Sequence, residues 1–166
     1  FPTRRSSDLE NHRNVLQPLV GQPCLQVQLA LRQQAAILQT VRSIALIKDG
    51  ILYCSSIFGS RSEPVRDVLQ ELPASTAKLI LSTDQWLLKG SPVLIQWYPV
   101  SQDGEDGVVE IINIDLIARM ILEPQRPLIN DVVLTVGNRF LRYGQRVTDS
   151  LTLDRKSTRL NSSHSG

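Results

Sequence analysis

Cys24 and Cys54 are the only two thiols in this 166-residue chain. Two thiols can close a disulfide, lie apart as small buried hydrophobes, or act as ligands or nucleophiles with help from other side chains. That help is scarce. Histidine occurs twice, at His12 and His164. Cys24, Cys54 and His12 show no zinc-ligand spacing, and His12 falls in a segment expected to fray, so Cys54 has no base for a catalytic dyad. Ser55 and Ser56 follow Cys54 directly. With no base placed beside them, they read as strand-end hydrogen-bonding residues rather than nucleophiles. Asp103, Glu105 and Asp106 cluster in SQDGEDG; three carboxylates could hold calcium, but the spacing is not that of an EF-hand, and a solvated hairpin tip is the plainer reading. Trp86, Trp97 and Tyr98 could line a pocket, with core or edge packing as the default. Arg119, Arg126, Arg139 and Arg142 could meet a carboxylate, although Arg139 and Arg142 alternate with apolar residues as an exposed face would. There is no P-loop and no dinucleotide fingerprint. No catalytic, metal or cofactor-binding set is assigned to this fragment.

The two ends distort the composition. Phe1–Leu9 (FPTRRSSDL) and the stretch from Asp154, DRKSTRLNSSH, look like in-frame translations of the adapter oligonucleotides ligated to DNA for short-read sequencing. Residues 1–9 and 154–166 are therefore expected to pack against nothing, and the fold is sought in residues 10–153. The full chain carries 18 basic and 16 acidic residues. Setting aside Arg4, Arg5, Arg155, Lys156, Arg159, Asp8 and Asp154 leaves 13 basic and 14 acidic residues, a net charge of −1. The basic balance belongs to the ends, and with it goes the case for a nucleic-acid partner. No apolar run approaches the roughly 18 residues that suggest a membrane span.

The elements that must position the cysteines are legible in the periodicity. Cys24 to Thr40 is rich in helix formers, with Leu31, Ala35, Leu38 and Val41 at about 3.6-residue spacing; Pro23 suits its start. Val41 to Ile47 (VRSIALI) then switches to a strand pattern, Lys48-Asp49-Gly50 signals a turn, and Ile51 to Ser55 is extended again, a hairpin. Glu63 to Leu72 reads as a short surface helix with Val65, Val68, Leu69 and Leu72 inward, ended by Pro73. Ala77–Ser82, Val93–Val100 and Val108–Ile114 are strand-like, the last two joined by a loop over Ser101–Gly107. Asp115 could cap a helix through Leu116–Leu122, stopped by Pro124. Asp131–Val136 and Arg139–Tyr143 flank a Gly137-Asn138 turn. This order predicts an α+β domain, a long N-terminal helix packed on an antiparallel sheet. It resembles the PAS-like, Cache-like extracytoplasmic sensor modules.

A cysteine opening a helix, then VRSIALI, an Asp-Gly turn, ILYCSS and Gly59 form a pattern with more specificity than three letters. Over roughly Pro23 to Gly59 it resembles the CSS motif that names a family of periplasmic domains in membrane-anchored EAL-type cyclic di-GMP phosphodiesterases. The motif residues here are Cys54, Ser55 and Ser56. The sulfurs of Cys24 and Cys54 meet only if the helix lies across the sheet so that their Cα atoms come within about 4.4–6.8 Å. Two free buried thiols, a purely structural disulfide and a redox-responsive disulfide are the competing readings, and the resemblance implies the last.

What else the resemblance implies goes beyond this stretch. The parent would be a homodimeric inner-membrane protein whose cytoplasmic EAL domain, absent here, hydrolyses cyclic di-GMP with Mg or Mn. Periplasmic thiol-disulfide oxidoreductases would set the state of the cysteine pair, and periplasmic proteases would attack the reduced domain. Cyclic di-GMP would be met only through the missing domain. The rival reading is a ligand-binding sensor of a chemoreceptor or histidine kinase with a structural disulfide. No EAL signature occurs in the sequence, so this fragment by itself is not expected to be an enzyme.

Overall fold

A computed structural model describes residues 11–83, 90–125, 133–142 and 148–149. Residues 11–16 are helical (α1) and run into a 3-10 turn at Gln17–Leu19. Helix α2 (Cys24–Ile37) follows, then strands β1 (Val41–Lys48), β2 (Ile51–Ser55) and β3 (Gly59–Pro64) and a single helical turn α3 (Val65–Val68). Strands β4 (Lys78–Thr83), β5 (Pro92–Pro99) and β6 (Gly107–Asn113) precede helix α4 (Ile114–Leu122), and β7 (Val133–Val136), β8 (Arg139–Arg142) and β9 (Thr148–Asp149) complete the order. The main sheet has six strands in the order β3-β2-β1-β6-β5-β4, and β7-β8-β9 form a second sheet. β1 pairs antiparallel with both β2 and β6, and β2 with β3. The α+β class, with the long helix on an antiparallel sheet, is as expected from the sequence. The chain falls into two compact units, one running to Leu79 and including Ile95–Ile112, the other made of Ile80–Leu94 and the chain from Asn113 onward. The adapter-like end segments lie outside the described residues, as do Trp86, Arg126 and the limits of the 10–153 span.

In the first unit the core is built by α1 and α2 on the sheet. Leu16, Cys24, Val27, Leu31, Val41, Ile44, Leu46, Cys54, Tyr98 and Val108 form one buried cluster, with Ala35 and Leu38 packed against it. Cys24, Val27 and Leu31 recur at helical spacing. The stripe expected at Leu31, Ala35, Leu38 and Val41 thus extends back through Val27 and includes the cysteine itself. Full burial of side chains such as Val27 and Leu31 contributes about 1.5–3 kcal/mol each. β1 is buried from Ser43 through Ile47, on both of its faces, as a central strand should be. In the second unit Leu81, Ile114 and Leu141 form a smaller cluster with Leu94, Leu134 and Val136.

Three local expectations need correction. The helix expected over Glu63–Leu72 is only the turn Val65–Val68: Glu63 and Pro64 pair with Leu52 and Ile51 as strand β3, and Leu69 is already extended, at φ −149° and ψ 112°. A residue ahead of proline is driven towards extended backbone, which favours the strand at Glu63. Helix α4 is capped by Asn113, whose side chain accepts from Leu116 N at 3.3 Å, and Asp115 sits inside the first turn. There its charge still complements the helix dipole. Arg139 is not on a free face, since its Nη1 donates to Leu81 O at 2.9 Å.

Gly50 and Gly107 show two different reasons for glycine in the first unit. Asp49 and Gly50 have φ of 52° and 74°, the double positive φ of a type I′ turn. At the start of β6, a Cβ on Gly107 would overlap the Trp97 ring and Tyr98 O, so only glycine lets these strands approach. Gly107→Ala is expected to destabilise the domain by about 2–3 kcal/mol through overpacking, read as a lower denaturant midpoint at unchanged m-value.

Candidate functional site

Helix α2 begins at Cys24 because Pro23 holds an extended backbone (φ −56°, ψ 139°) and its carbonyl accepts from Gln26 N at 3.0 Å. Cys54 lies opposite Leu46 on β1 and opposite Ser60 on β3, one residue from the end of β2. The two meet. Cys24 and Cys54 form a disulfide with Cα atoms 5.2 Å apart, 30 residues apart in sequence. Cys54 is 0% exposed and Cys24 8%, so the bond lies in the core cluster at the helix start. Tyr53 fastens the approach to that start: its hydroxyl accepts from Gly21 N at 2.8 Å and donates to Gln22 O at 2.9 Å. Burial pushes the Tyr53 phenol up, which keeps this donor protonated.

Each serine of the motif has its own task. Ser56 N donates to Ile44 O at 2.8 Å, while its Oγ accepts from Ile44 N at 3.0 Å, so one residue beyond β2 continues the pairing with β1 in both directions. Ser56 O in turn accepts from Arg32 Nε of α2 at 3.1 Å. Ser55 Oγ accepts from Ile57 N at 3.2 Å and Phe58 N at 3.4 Å, turning the chain towards β3. Gly59 then takes φ of 73°, and a Cβ there would lie 2.9 Å from Gln28 Nε2 of α2. Cys54, Ser55, Ser56 and Gly59 together tie one strand end to one helix.

A second polar cluster escaped the sequence. His12 was expected to fray, yet it is 4% exposed. Its Nε2 pairs with Glu110 of β6, itself 3% exposed, and its Nδ1 lies 2.9 Å from Gln34 Oε1 of α2. The physical reason is that an inward carboxylate on β6 needs a partner, and α1 supplies it. Burial works against a charged imidazole, but the hydrogen bond and charge of Glu110, with Gln34, outweigh it and raise the His12 pKa above 6.5. Tyr98 faces the same carboxylate; burial, then the charge and hydrogen bond of Glu110, push its phenol up. The available signal was Glu110 standing alone among apolar residues in VVEII.

The acidic loop is a brace. Asp106 pairs with Lys48 at 2.8 Å and accepts from Asp49 N at 2.8 Å, and Glu105 O accepts from Gly50 N at 2.8 Å. Asp103 Oδ1 accepts from Ser101 Oγ at 2.6 Å. Asp106 and the Glu105 carbonyl thus hold the β1–β2 turn, and Asp103 holds its own loop. Among the described residues, no three His, Cys, Asp or Glu side chains are grouped to hold a metal ion. Trp97 and Tyr98 are buried, and Trp97 Nε1 donates to Ala74 O at 2.8 Å.

Residues 4–165 match the family model described as the CSS motif domain associated with EAL. The chain belongs to the CSS-motif family. Among curated relatives of this CSS-motif domain, an Escherichia coli K12 protein named "Probable cyclic di-GMP phosphodiesterase PdeD" is 56% identical over 143 residues, 86% of this chain and 27% of that protein. A second from the same organism, "Probable cyclic di-GMP phosphodiesterase PdeN", is 26% identical over 138 residues, 80% of this chain and 26% of that protein. The chain therefore spans about a quarter of the length of the curated relatives it matches. A solved domain of a sensory box/GGDEF family protein from Vibrio parahaemolyticus aligns with TM-score 0.48 and 16% identity, over 80% of this chain and 59% of its own. No described helix of the CSS-motif domain is long and apolar enough to cross a membrane.

The bond closes a loop whose chain-entropy contribution is about 3.6 kcal/mol, a large share of a typical 5–15 kcal/mol. Cys24→Ser and Cys54→Ser are each expected to lower stability by about that amount, and the double variant by no more than either alone, in denaturant melts. Ser56→Ala leaves Ile44 N without its acceptor and is expected to cost about 1–3 kcal/mol in the same measurement.

Proposed function

We propose that this CSS-motif domain is the periplasmic, redox-responsive part of a membrane-anchored cyclic di-GMP phosphodiesterase whose EAL domain lies elsewhere in the parent. The observation that carries the reading is the disulfide between the start of α2 and the end of β2. Its relatives' names support the phosphodiesterase parent over a chemoreceptor or histidine kinase. Hydrolysis and its Mg or Mn belong to the EAL domain, and this domain supplies control.

Reduction would proceed by thiol-disulfide exchange with a periplasmic oxidoreductase. Its thiolate attacks one sulfur of the pair, the other leaves as a thiolate, and a second oxidoreductase thiol resolves the mixed disulfide; the domain gains two thiols as the partner gains a disulfide. Cys24 is the less buried of the two residues. Both are so buried that attack requires local opening at the helix start. Oxidised, the bond holds α2 on the sheet and restrains the phosphodiesterase. Reduced, α2 loosens, the change passes to a homodimeric parent, and the looser domain becomes a substrate for periplasmic proteases.

The test is cyclic di-GMP hydrolysis by the full-length parent in nanodiscs, with the pair oxidised and reduced. Turnover is expected to rise on reduction and to be high in Cys54→Ser irrespective of redox state. Equal turnover in both states would refute the redox role. Purified residues 10–153 are expected to show no turnover.

A further inference from the structure

His12 presents a second chemistry in the same unit, independent of the cysteines. It comes from α1, and its two ring nitrogens face two acceptors: Gln34 Oε1 on α2 and the Glu110 carboxylate on β6. A neutral imidazole donates from one nitrogen only, so two acceptors are matched by the imidazolium, which donates from both. We propose that His12 is a proton-binding latch that fastens α1 to α2 and β6, so that rising pH loosens the N-terminal helix.

The surroundings leave few other groups to account for a pH response there. Glu110 is the only charged residue of β6, and Arg32, the only one of α2, is engaged with Ser56 O. β5 contributes Tyr98, which faces Glu110, and α1 contributes Arg13, whose guanidinium stands 4.8 Å from the Tyr98 ring centroid. β1 carries Arg42 and Lys48, the latter paired with Asp106. The latch also has a mechanical consequence. Leu16, at the end of α1, is completely buried in the core cluster, so releasing His12 loosens a helix that is also packed.

Loss of the proton removes one of the two donors and the charge that pairs with Glu110. The raised His12 pKa fixes the sign: the stabilisation is full below the unfolded value of 6.5 and is lost as pH rises through the higher folded value. A more alkaline medium therefore weakens α1, and a mildly acidic one holds it.

The test uses the disulfide-intact chain with His164→Gln, which leaves His12 as its only histidine. NMR titration of the ring carbons should give a His12 pKa above 6.5, with α1 amide shifts following the same curve. The melting temperature should fall by several degrees between about pH 6 and pH 9, and His12→Gln should flatten that dependence relative to its parent. A His12 pKa at or below 6.5, or superimposable pH profiles for the parent and His12→Gln, would overturn the latch. If His12→Gln does not fold, the ring titration and the co-titrating α1 amides decide the matter by themselves.

Discussion

Everything in the first unit depends on how α2 is held to the sheet. The helix presents Cys24, Val27 and Leu31 to β1 and β2, and the covalent link sits at the helix start. Apolar burial is non-directional and lets a helix slide; the disulfide, the Arg32 bond to Ser56 O and the close approach at Gly59 set its register. The site is therefore a set of fasteners between one helix and one strand end.

The sequence showed the β1–β2 hairpin clearly, because Asp49-Gly50 carries the turn chemistry and VRSIALI the strand pattern. It also marked Cys54, Ser55 and Ser56. What it left open was the meeting of the two sulfurs, since the orientation of a helix across a sheet follows from packing of residues distant in sequence. The same reason hid the Glu110 partner: His12 and Glu110 are 98 residues apart, and neither periodicity nor turn chemistry brings α1 to β6. The departure at Glu63–Leu72 had another source. Val65, Val68, Leu69 and Leu72 carry a helical spacing, but pairing of Glu63 and Pro64 with β2 took the first turn of that pattern for a strand.

Polar groups in this unit share a common logic. Buried carboxylate, imidazole, phenol and hydroxyls each find a partner, and no buried side-chain nitrogen or oxygen among the described residues lacks one. Such networks make the helical arm's placement sensitive to single chemical changes, because losing a partner leaves a desolvated group behind. In the roles proposed above, oxidation state would act on one fastener and protonation on another, with the hydrophobic stripe common to both.

Tyr53 gives the cysteine pair a property of its own. Its hydroxyl holds Gly21 and Gln22, the residues just before Cys24, and this tether contains no sulfur. Opening the S–S bond therefore leaves the two thiols leashed to each other at high effective concentration. Once an oxidoreductase disulfide has captured one thiol as a mixed disulfide, attack by the other thiol, which expels the oxidoreductase as a dithiol, is an intramolecular step helped by this closeness. In the redox role proposed above, a pair leashed in this way would be poised to close again, so that its state would track the surrounding conditions rather than store a record of them.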